Sequence, residues 1–116
     1  MCSSDLQERL NNVFGVHLRI TALRAATGPG IEFLEYLAPR NGRPAPADAQ
    51  ANDLVHWQTK LVTDDIAAAA ARLREGRFAW ISPGVIDVPE PALGGRRSFL
   101  VRDPDAHAMQ LVEREK

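Results

Sequence analysis

Short stretches in which apolar and polar residues alternate are the feature that most constrains how this chain folds. In VFGVHLRITAL, residues 13–23, every second side chain is apolar, and residues 54–63 and 107–113 keep largely the same period. Such alternation predicts β-strands with one buried face. Between them, DDIAAAAARLREG at 64–76 has early aspartates, late arginines and a final glycine, which is typical of a helix. The pattern predicts an α+β fold.

Turn and linker residues divide the chain into four parts. Residues 1–12 form an N-terminal segment whose CSSDL stretch, residues 2–6, reads like the translated end of a sequencing adapter, so we expect natural sequence upstream of it. Residues 13–38 predict an antiparallel hairpin around ATGPG, and residues 39–52 are a Pro-rich linker. Residues 53–116 then predict the element order β-α-β-β-β.

Within that last part, local signals predict where the elements begin and end. Thr63 or Asp64 is the expected N-cap of the helix, and Gly76 is the expected stop. Residues 78–88 predict a strand that Ser82-Pro83-Gly84 interrupts, and two further strands flank the Asp103–Ala106 turn.

The chain length, composition, net charge and cysteine count exclude several classes of protein. The chain has 116 residues, of which 45% are hydrophobic and 25% charged, with a net charge of −1, so one domain without a basic nucleic-acid surface is expected. No apolar run reaches the length of a membrane span, and no charged start leads into an apolar stretch. The single cysteine excludes a disulfide framework. We therefore expect a cytoplasmic protein that binds neither membrane nor nucleic acid.

An internal repeat relates the two strand-rich parts. GIEFLEY at 30–36 and AMQLVE at 108–113 share a pattern, with Glu32 aligned on Gln110 and Glu35 on Glu113. Each copy follows an apolar strand and a turn. Residues 13–38 are therefore interpreted as the last hairpin of a unit whose complete copy is residues 53–116.

The element order and three stretches, NDLVHWQTKLVTDD, GIEFLEYLAPRNGRPAP and VRDPDAHAMQLVE, resemble the vicinal oxygen chelate superfamily, which includes glyoxalase I, bleomycin-resistance proteins and extradiol dioxygenases. The resemblance covers residues 13–114. It implies tandem βαβββ modules that curve into an incomplete barrel, with the first module represented here only by its last hairpin. It further implies a divalent metal (Mn, Ni, Zn or Fe) inside the barrel, and a homodimer.

Carried over by position, the resemblance implies three metal ligands. His56 matches the first-strand ligand of the second module, Glu32 the last-strand ligand of the first module, and Gln110 the position at which the family has a glutamate. The remaining ligand would lie upstream of this chain. Because Gln110 replaces a carboxylate, it would bind a cation more weakly and without charge. Ala106 replaces the usual turn glycine and would be strained if that position requires a positive φ.

Alternation places other polar residues on the concave faces that the resemblance implies. The predicted substrate-binding residues are Gln58, Lys60, Tyr36, His17 and Arg19, while Met109, Leu111, Trp57 and Phe33 would pack beneath the helices. Simpler roles stay open for each ligand: Glu32 as a solvated strand residue, His56 as a pocket histidine without metal, and Gln110 as a hydrogen-bonding partner. His107 is interpreted as a structural residue beside the turn.

Two functions from different classes are predicted. The first is metal-assisted lyase or isomerase chemistry on a small oxygenated substrate, with Glu32 as the catalytic carboxylate that moves the proton. An extradiol dioxygenase is disfavoured because the second module has only His56 in place. The alternative is a metal-free small-molecule binding protein of the bleomycin-resistance type, which the loss of a carboxylate at Gln110 favours directly.

Overall fold

A computed structural model describes residues 5–89 and 96–114 and divides the chain into a first unit, residues 1–43, and a second unit, residues 44–116. Residues 2–4 of the adapter-like stretch lie outside the described residues. The fold is α+β, as predicted, and the described residues form two helices and two sheets without a closed barrel. The elements are α1 (Asp5–Asn11), β1 (His17–Leu23), β2 (Ile31–Ala38), β3 (Gln58–Thr63), α2 (Ile66–Glu75), β4 (Ile86–Asp87), β5 (Arg97–Arg102) and β6 (Ala108–Glu113).

The first unit contains the expected antiparallel hairpin, β1 with β2, preceded by the short helix α1. Strand β1 begins at His17 rather than at residue 13, because Gly15 has a φ of 68° and interrupts the extended backbone. Val16 and Leu18 are buried as the alternation predicts. Phe14, expected on the same face, lies before the turn and is 90% exposed.

The second unit has the order β-α-β-β-β and one four-stranded sheet, in which the strands lie in the order β3-β6-β5-β4. Strand β3 is an edge strand that pairs with β6 in parallel, whereas β5 is antiparallel to both of its neighbours. The interrupted strand predicted over residues 78–88 is shorter in the structure. Trp80 forms one isolated bridge to Val101, and regular pairing resumes only in β4.

Helix α2 covers one face of this sheet, and the side chains packed between the helix and the sheet form the core of the second unit. Ile66 and Ala70 on the helix pack against Phe99 and Val101 of β5. Met109 and Leu111 of β6 pack against this cluster, which confirms their predicted position beneath the helix. Two other residues expected beneath helices are instead open to solvent, with Trp57 63% and Phe33 38% exposed. Trp57 precedes β3, and α1 has no buried residue to place over the hairpin.

The ends of α2 are set by expected and unexpected residues. Gly76 is the C-cap, as expected, but Arg77 provides the left-handed turn that ends the helix, with a φ of 55°. The N–H groups of Arg77 and Phe78 donate to the carbonyls of Arg74 and Leu73, at 3.1 and 3.4 Å. The N-cap is Asp65, one residue beyond the predicted Asp64, and its Oδ1 accepts the N–H of Ala68 at 2.9 Å. Thr63 precedes the cap, and its hydroxyl accepts a hydrogen bond from the backbone N–H of Asp65 at 3.2 Å.

A bidentate ion pair joins the neighbouring strands β5 and β6. The Arg97 guanidinium donates to both carboxylate oxygens of Glu113, at 2.9 and 2.8 Å. These hydrogen bonds, and the negative charge of Glu113, raise the pKa of Arg97. Glu113 therefore holds the two strands together at this end of the sheet.

Candidate functional site

Four polar side chains form a continuous hydrogen-bonded network on the sheet face of the second unit opposite α2. We call His56, Gln58, Gln110 and Ser98 the polar network. Gln58 Nε2 donates to Gln110 Oε1 at 2.9 Å, and Gln110 Nε2 donates to Ser98 Oγ at 3.0 Å. Parallel pairing of β3 with β6 places Gln58 opposite Ala108 and Lys60 opposite Gln110. Gln58 and Gln110 are therefore diagonal neighbours on the same face of the sheet, where their side chains can meet.

The direction of every hydrogen bond in the polar network is determined by one backbone carbonyl. Ser98 Oγ lies 2.8 Å from the carbonyl oxygen of Leu111, which can only accept, so the hydroxyl donates there and accepts from Gln110. At the other end, His56 Nε2 lies 3.1 Å from Gln58 Oε1 and must carry the proton. In the neutral ring, His56 Nδ1 is then the unprotonated nitrogen. This atom is buried and has no hydrogen-bond partner among the described residues.

A pocket of about 200 Å³ that is open to solvent lies beside the polar network, and we call it the sheet cavity. Ser82 also lines it, with a hydroxyl that donates to the carbonyl of Gly84 and accepts from the N–H of Leu100. The lining therefore combines amides and satisfied hydroxyls with apolar surface and contains no charged side chain among the described residues. Its residues are Gln58, Ile81, Ser82, Ile86, Ser98, Phe99, Leu100 and Gln110.

The site residues predicted from the sequence fall into two groups. His56, Gln58, Lys60 and Gln110 belong to the second unit, whereas Glu32, Tyr36, His17 and Arg19 belong to the first. Within the second unit, Gln58 rather than His56 is the direct neighbour of Gln110.

The hairpin of the first unit separates its own candidates between two faces. Glu32 is opposite Ala22 and Tyr36 opposite Leu18, whereas Arg19 is opposite Glu35. Cross-strand partners share a face, so Arg19 points away from the face of Glu32 and Tyr36. Arg19 instead forms an exposed ion pair with Glu35 at 2.9 Å.

Tyr36 and Glu32 occupy different surroundings on their shared face. The Tyr36 hydroxyl accepts a hydrogen bond from Asn11 Nδ2 at 3.0 Å and lines an open cleft of about 430 Å³. Glu32 is exposed and lines a cleft of about 390 Å³ at the turn end of the hairpin, together with Arg24.

The turn before β6 has the structural role that the sequence predicts. Asp103 Oδ1 accepts the backbone N–H groups of Asp105 and His107, at 2.9 and 2.8 Å. Asp103 Oδ2 lies 2.9 Å from His107 Nδ1, so the histidine is held beside the turn. The ring of His107 also meets Trp57 edge to face, with 5.8 Å between the ring centroids. Ala106 has a φ of 69°, the region in which glycine is favoured.

Replacing Ala106 by glycine is expected to stabilise the protein. The substitution removes the clash of Cβ in the left-handed conformation, and the free energy of unfolding should rise by about 0.5–1 kcal/mol. Ala71→Gly, on the exposed side of α2, is the matched control and should lower it by about 1 kcal/mol. Urea denaturation followed by tryptophan fluorescence measures both. A loss of stability in Ala106→Gly would show that the turn is not strained.

Ser98 is the member of the polar network that sequence reasoning missed. It is buried, with 3% exposure, although its neighbours in the strand are apolar or charged. The available signal was a small hydroxyl inside RSFLV, at a position that alternation places on the same side as Leu100. A single serine in a strand is a weak signal until a partner such as Gln110 is known.

The polar network fits the implied metal only at His56. Gln58 and Gln110 are neutral and already bonded to each other, whereas a divalent ion favours charged or unshared oxygen ligands. The free lone pair of His56 Nδ1 is the one matching donor in this network. Among residues 5–89 and 96–114, no group of three or more His, Cys, Asp or Glu side chains is placed to hold an ion.

Comparisons with protein-family models, curated proteins and solved structures find no match to this chain. In the part of the chain that the structure describes, no helix is both long and apolar enough to span a membrane.

Proposed function

We propose that this chain is a protein of the vicinal oxygen chelate type whose second unit binds a small organic molecule without using a metal, as in the bleomycin-resistance type. The observation that carries the proposal is the hydrogen bond between Gln58 and Gln110 beside the uncharged sheet cavity. Two amides at this place can recognise a ligand through donors and acceptors, whereas they offer no charge to an ion.

The arrangement of elements supports the tandem-module part of the proposal. The β-α-β-β-β order and the pairing of the first strand of the second unit with its last, β3 with β6, make that unit self-contained. In this proposal the β1–β2 hairpin is the last hairpin of a first βαβββ module, and two modules together would form the incomplete barrel. The proposal extends to a cytoplasmic homodimer that binds no nucleic acid, for which the family resemblance and the balanced charge are the support.

A metal-assisted lyase or isomerase is the second candidate, and the free Nδ1 of His56 favours it. In this candidate His56 would be the ligand that the second unit supplies to a divalent ion (Mn, Ni, Zn or Fe), which would polarise two adjacent oxygens of a small substrate. Such chemistry needs a carboxylate to move the proton, which is the role that the family resemblance implies for Glu32. Gln110 would contribute at most a neutral oxygen, through the Oε1 lone pair that Gln58 does not use.

Thermal melting of the full chain separates the two candidates. With Mn²⁺, Ni²⁺, Zn²⁺ or Fe²⁺ added, the metal-free proposal expects no rise in melting temperature that depends on His56. A ligand that binds only the folded state raises the melting temperature with its concentration. His56→Ala is the test variant, and His17→Ala, on the exposed hairpin, is the matched control. If added metal raised the melting temperature of the parent and of His17→Ala but not that of His56→Ala, the proposal would be overturned in favour of the metal-assisted candidate.

A screen of small organic molecules by NMR gives the positive test. Molecules that bind in the sheet cavity should shift the side-chain amide signals of Gln58 and Gln110 and the backbone signal of Ser98. Shifts confined to the first unit, or no shifts at all, would contradict the assignment of the site.

A further inference from the structure

We infer that the ligand of the sheet cavity is an uncharged, single-ring molecule with a neighbouring N–H donor and carbonyl acceptor, the edge of a lactam or cyclic amide. This inference rests on the proposed function and specifies its ligand class. It follows from the unused hydrogen-bonding groups of the polar network, the size of the cavity and its lack of charge.

The unused groups are those of the two glutamines. Gln58 uses one amide hydrogen toward Gln110 and one lone pair toward His56, and Gln110 uses one of each toward Ser98 and Gln58. Each side chain amide has two donors and two acceptor lone pairs, so each retains one donor and one acceptor. The hydroxyls of Ser82 and Ser98 already donate to backbone carbonyls. The cavity therefore offers paired donors and acceptors of amide type.

The volume of the sheet cavity suits a ligand of about one ring. An enclosed apolar cavity of about 150 Å³ holds benzene, so an open pocket of about 200 Å³ accommodates a six-membered ring with a small substituent. Ile81, Ile86 and Leu100 give the cavity apolar walls that suit the faces of such a ring.

The lack of charge in the lining favours neutral ligands over ionic ligands of the same size. A carboxylate placed there would lose part of its hydration and find no cationic side chain among the lining residues, and removing an unpaired ion from water is unfavourable. A carboxylate also lacks a hydrogen to donate to the glutamine oxygens. A lactam satisfies both kinds of unused group and carries no charge.

Titration of the full chain with three matched ring compounds tests the inference. 2-Pyridone has the N–H and carbonyl edge, 2-pyranone replaces the N–H by oxygen at the same size, and benzoate carries a charge. In two-dimensional ¹H–¹⁵N NMR spectra, 2-pyridone should shift the side-chain amide signals of Gln58 and Gln110. Its affinity should exceed that of 2-pyranone by about tenfold or more, because one hydrogen bond and one unsatisfied acceptor distinguish them. Benzoate should leave these signals unchanged.

The affinity of polar-network variants for 2-pyridone provides the second test. Gln110→Glu adds a negative charge and removes the amide donor, so it should weaken 2-pyridone binding by about tenfold or more. Gln58→Met, on an edge strand, removes the same kind of group without adding charge and should weaken binding as well. Gln50→Glu is the control for charge, because Gln50 is exposed and does not line the cavity, and it should bind 2-pyridone as the parent does.

The outcomes distinguish this inference from the proposed function. Equal affinities for 2-pyridone and 2-pyranone, or tighter binding of benzoate at the same glutamine signals, would overturn the ligand class while the binding site itself would stand. Absence of shifts from all three compounds and from the wider screen would overturn both.

Discussion

Replacing Phe99 by alanine is expected to lower the free energy of unfolding of the second unit by about 3–5 kcal/mol. Phe99 is 1% exposed and lies between α2 and the sheet, in contact with Ile66, Ala70 and Val101. Its ring also stacks on Trp80, with 4.7 Å between centroids and 24° between planes. Removing the ring loses this burial and leaves a cavity that a closely packed core cannot fill.

Urea denaturation followed by tryptophan fluorescence is the measurement for Phe99→Ala. Both tryptophans, Trp57 and Trp80, lie in the second unit, so their fluorescence reports on that unit alone. Leu54→Ala is the control in the same unit, because its side chain is fully exposed and its removal should change stability by less than about 0.5 kcal/mol. If Phe99→Ala proves too unstable to purify, Phe99→Leu should show a smaller loss in the same direction. A change as small as that of the control would contradict the assigned core.

Replacing Asp103 by alanine is expected to cost about 2–3 kcal/mol, the second largest effect among these predictions. The carboxylate accepts two backbone N–H groups and faces the His107 ring, and its side chain is only 18% exposed. Without it, the N–H groups of Asp105 and His107 lose their acceptor at the point where β6 begins. Leaving such donors unsatisfied costs more than the net worth of the hydrogen bonds.

Two further substitutions identify the cause of the Asp103 effect. Asp103→Asn keeps the oxygen that accepts both backbone N–H groups and should recover a large part of the stability lost in Asp103→Ala. Asp105→Ala removes an exposed carboxylate from the same turn and should be nearly neutral. Urea denaturation curves of the three variants measure these differences. Equal losses for the Asn and Ala variants would show that the backbone hydrogen bonds are not what Asp103 contributes.

The elements that could be predicted from the sequence are those with local causes. Helix α2 and its end at Gly76 follow from an alanine-rich run and a stop signal within the same few residues. The turn at Asp103 also has a local cause, because its carboxylate bonds the N–H groups two and four residues along the chain. Met109 and Leu111 face the core because alternation in a strand assigns faces wherever the strand forms.

The elements that could not be predicted depend on a partner distant in the chain. Strand β3 begins at Gln58 and not near residue 54, because β6 begins at Ala108 and the two residues are paired. A strand extends only as far as its neighbour accepts its hydrogen bonds, and the neighbour is unknown when one stretch is considered alone. The same reason leaves Trp57 outside the regular strand and exposed.

The candidate site shows the same division between local and distant causes. By itself the sequence determined the α+β class, the element order of the second unit, the turn at Asp103 and the presence of polar residues on strand faces that alternate with apolar ones. Only the tertiary structure decided that Gln58 touches Gln110, that Ser98 anchors them and that His56 joins through Gln58. The physical reason is register, since parallel pairing of β3 with β6 sets which side chains meet, and no residue of either strand specifies that register locally.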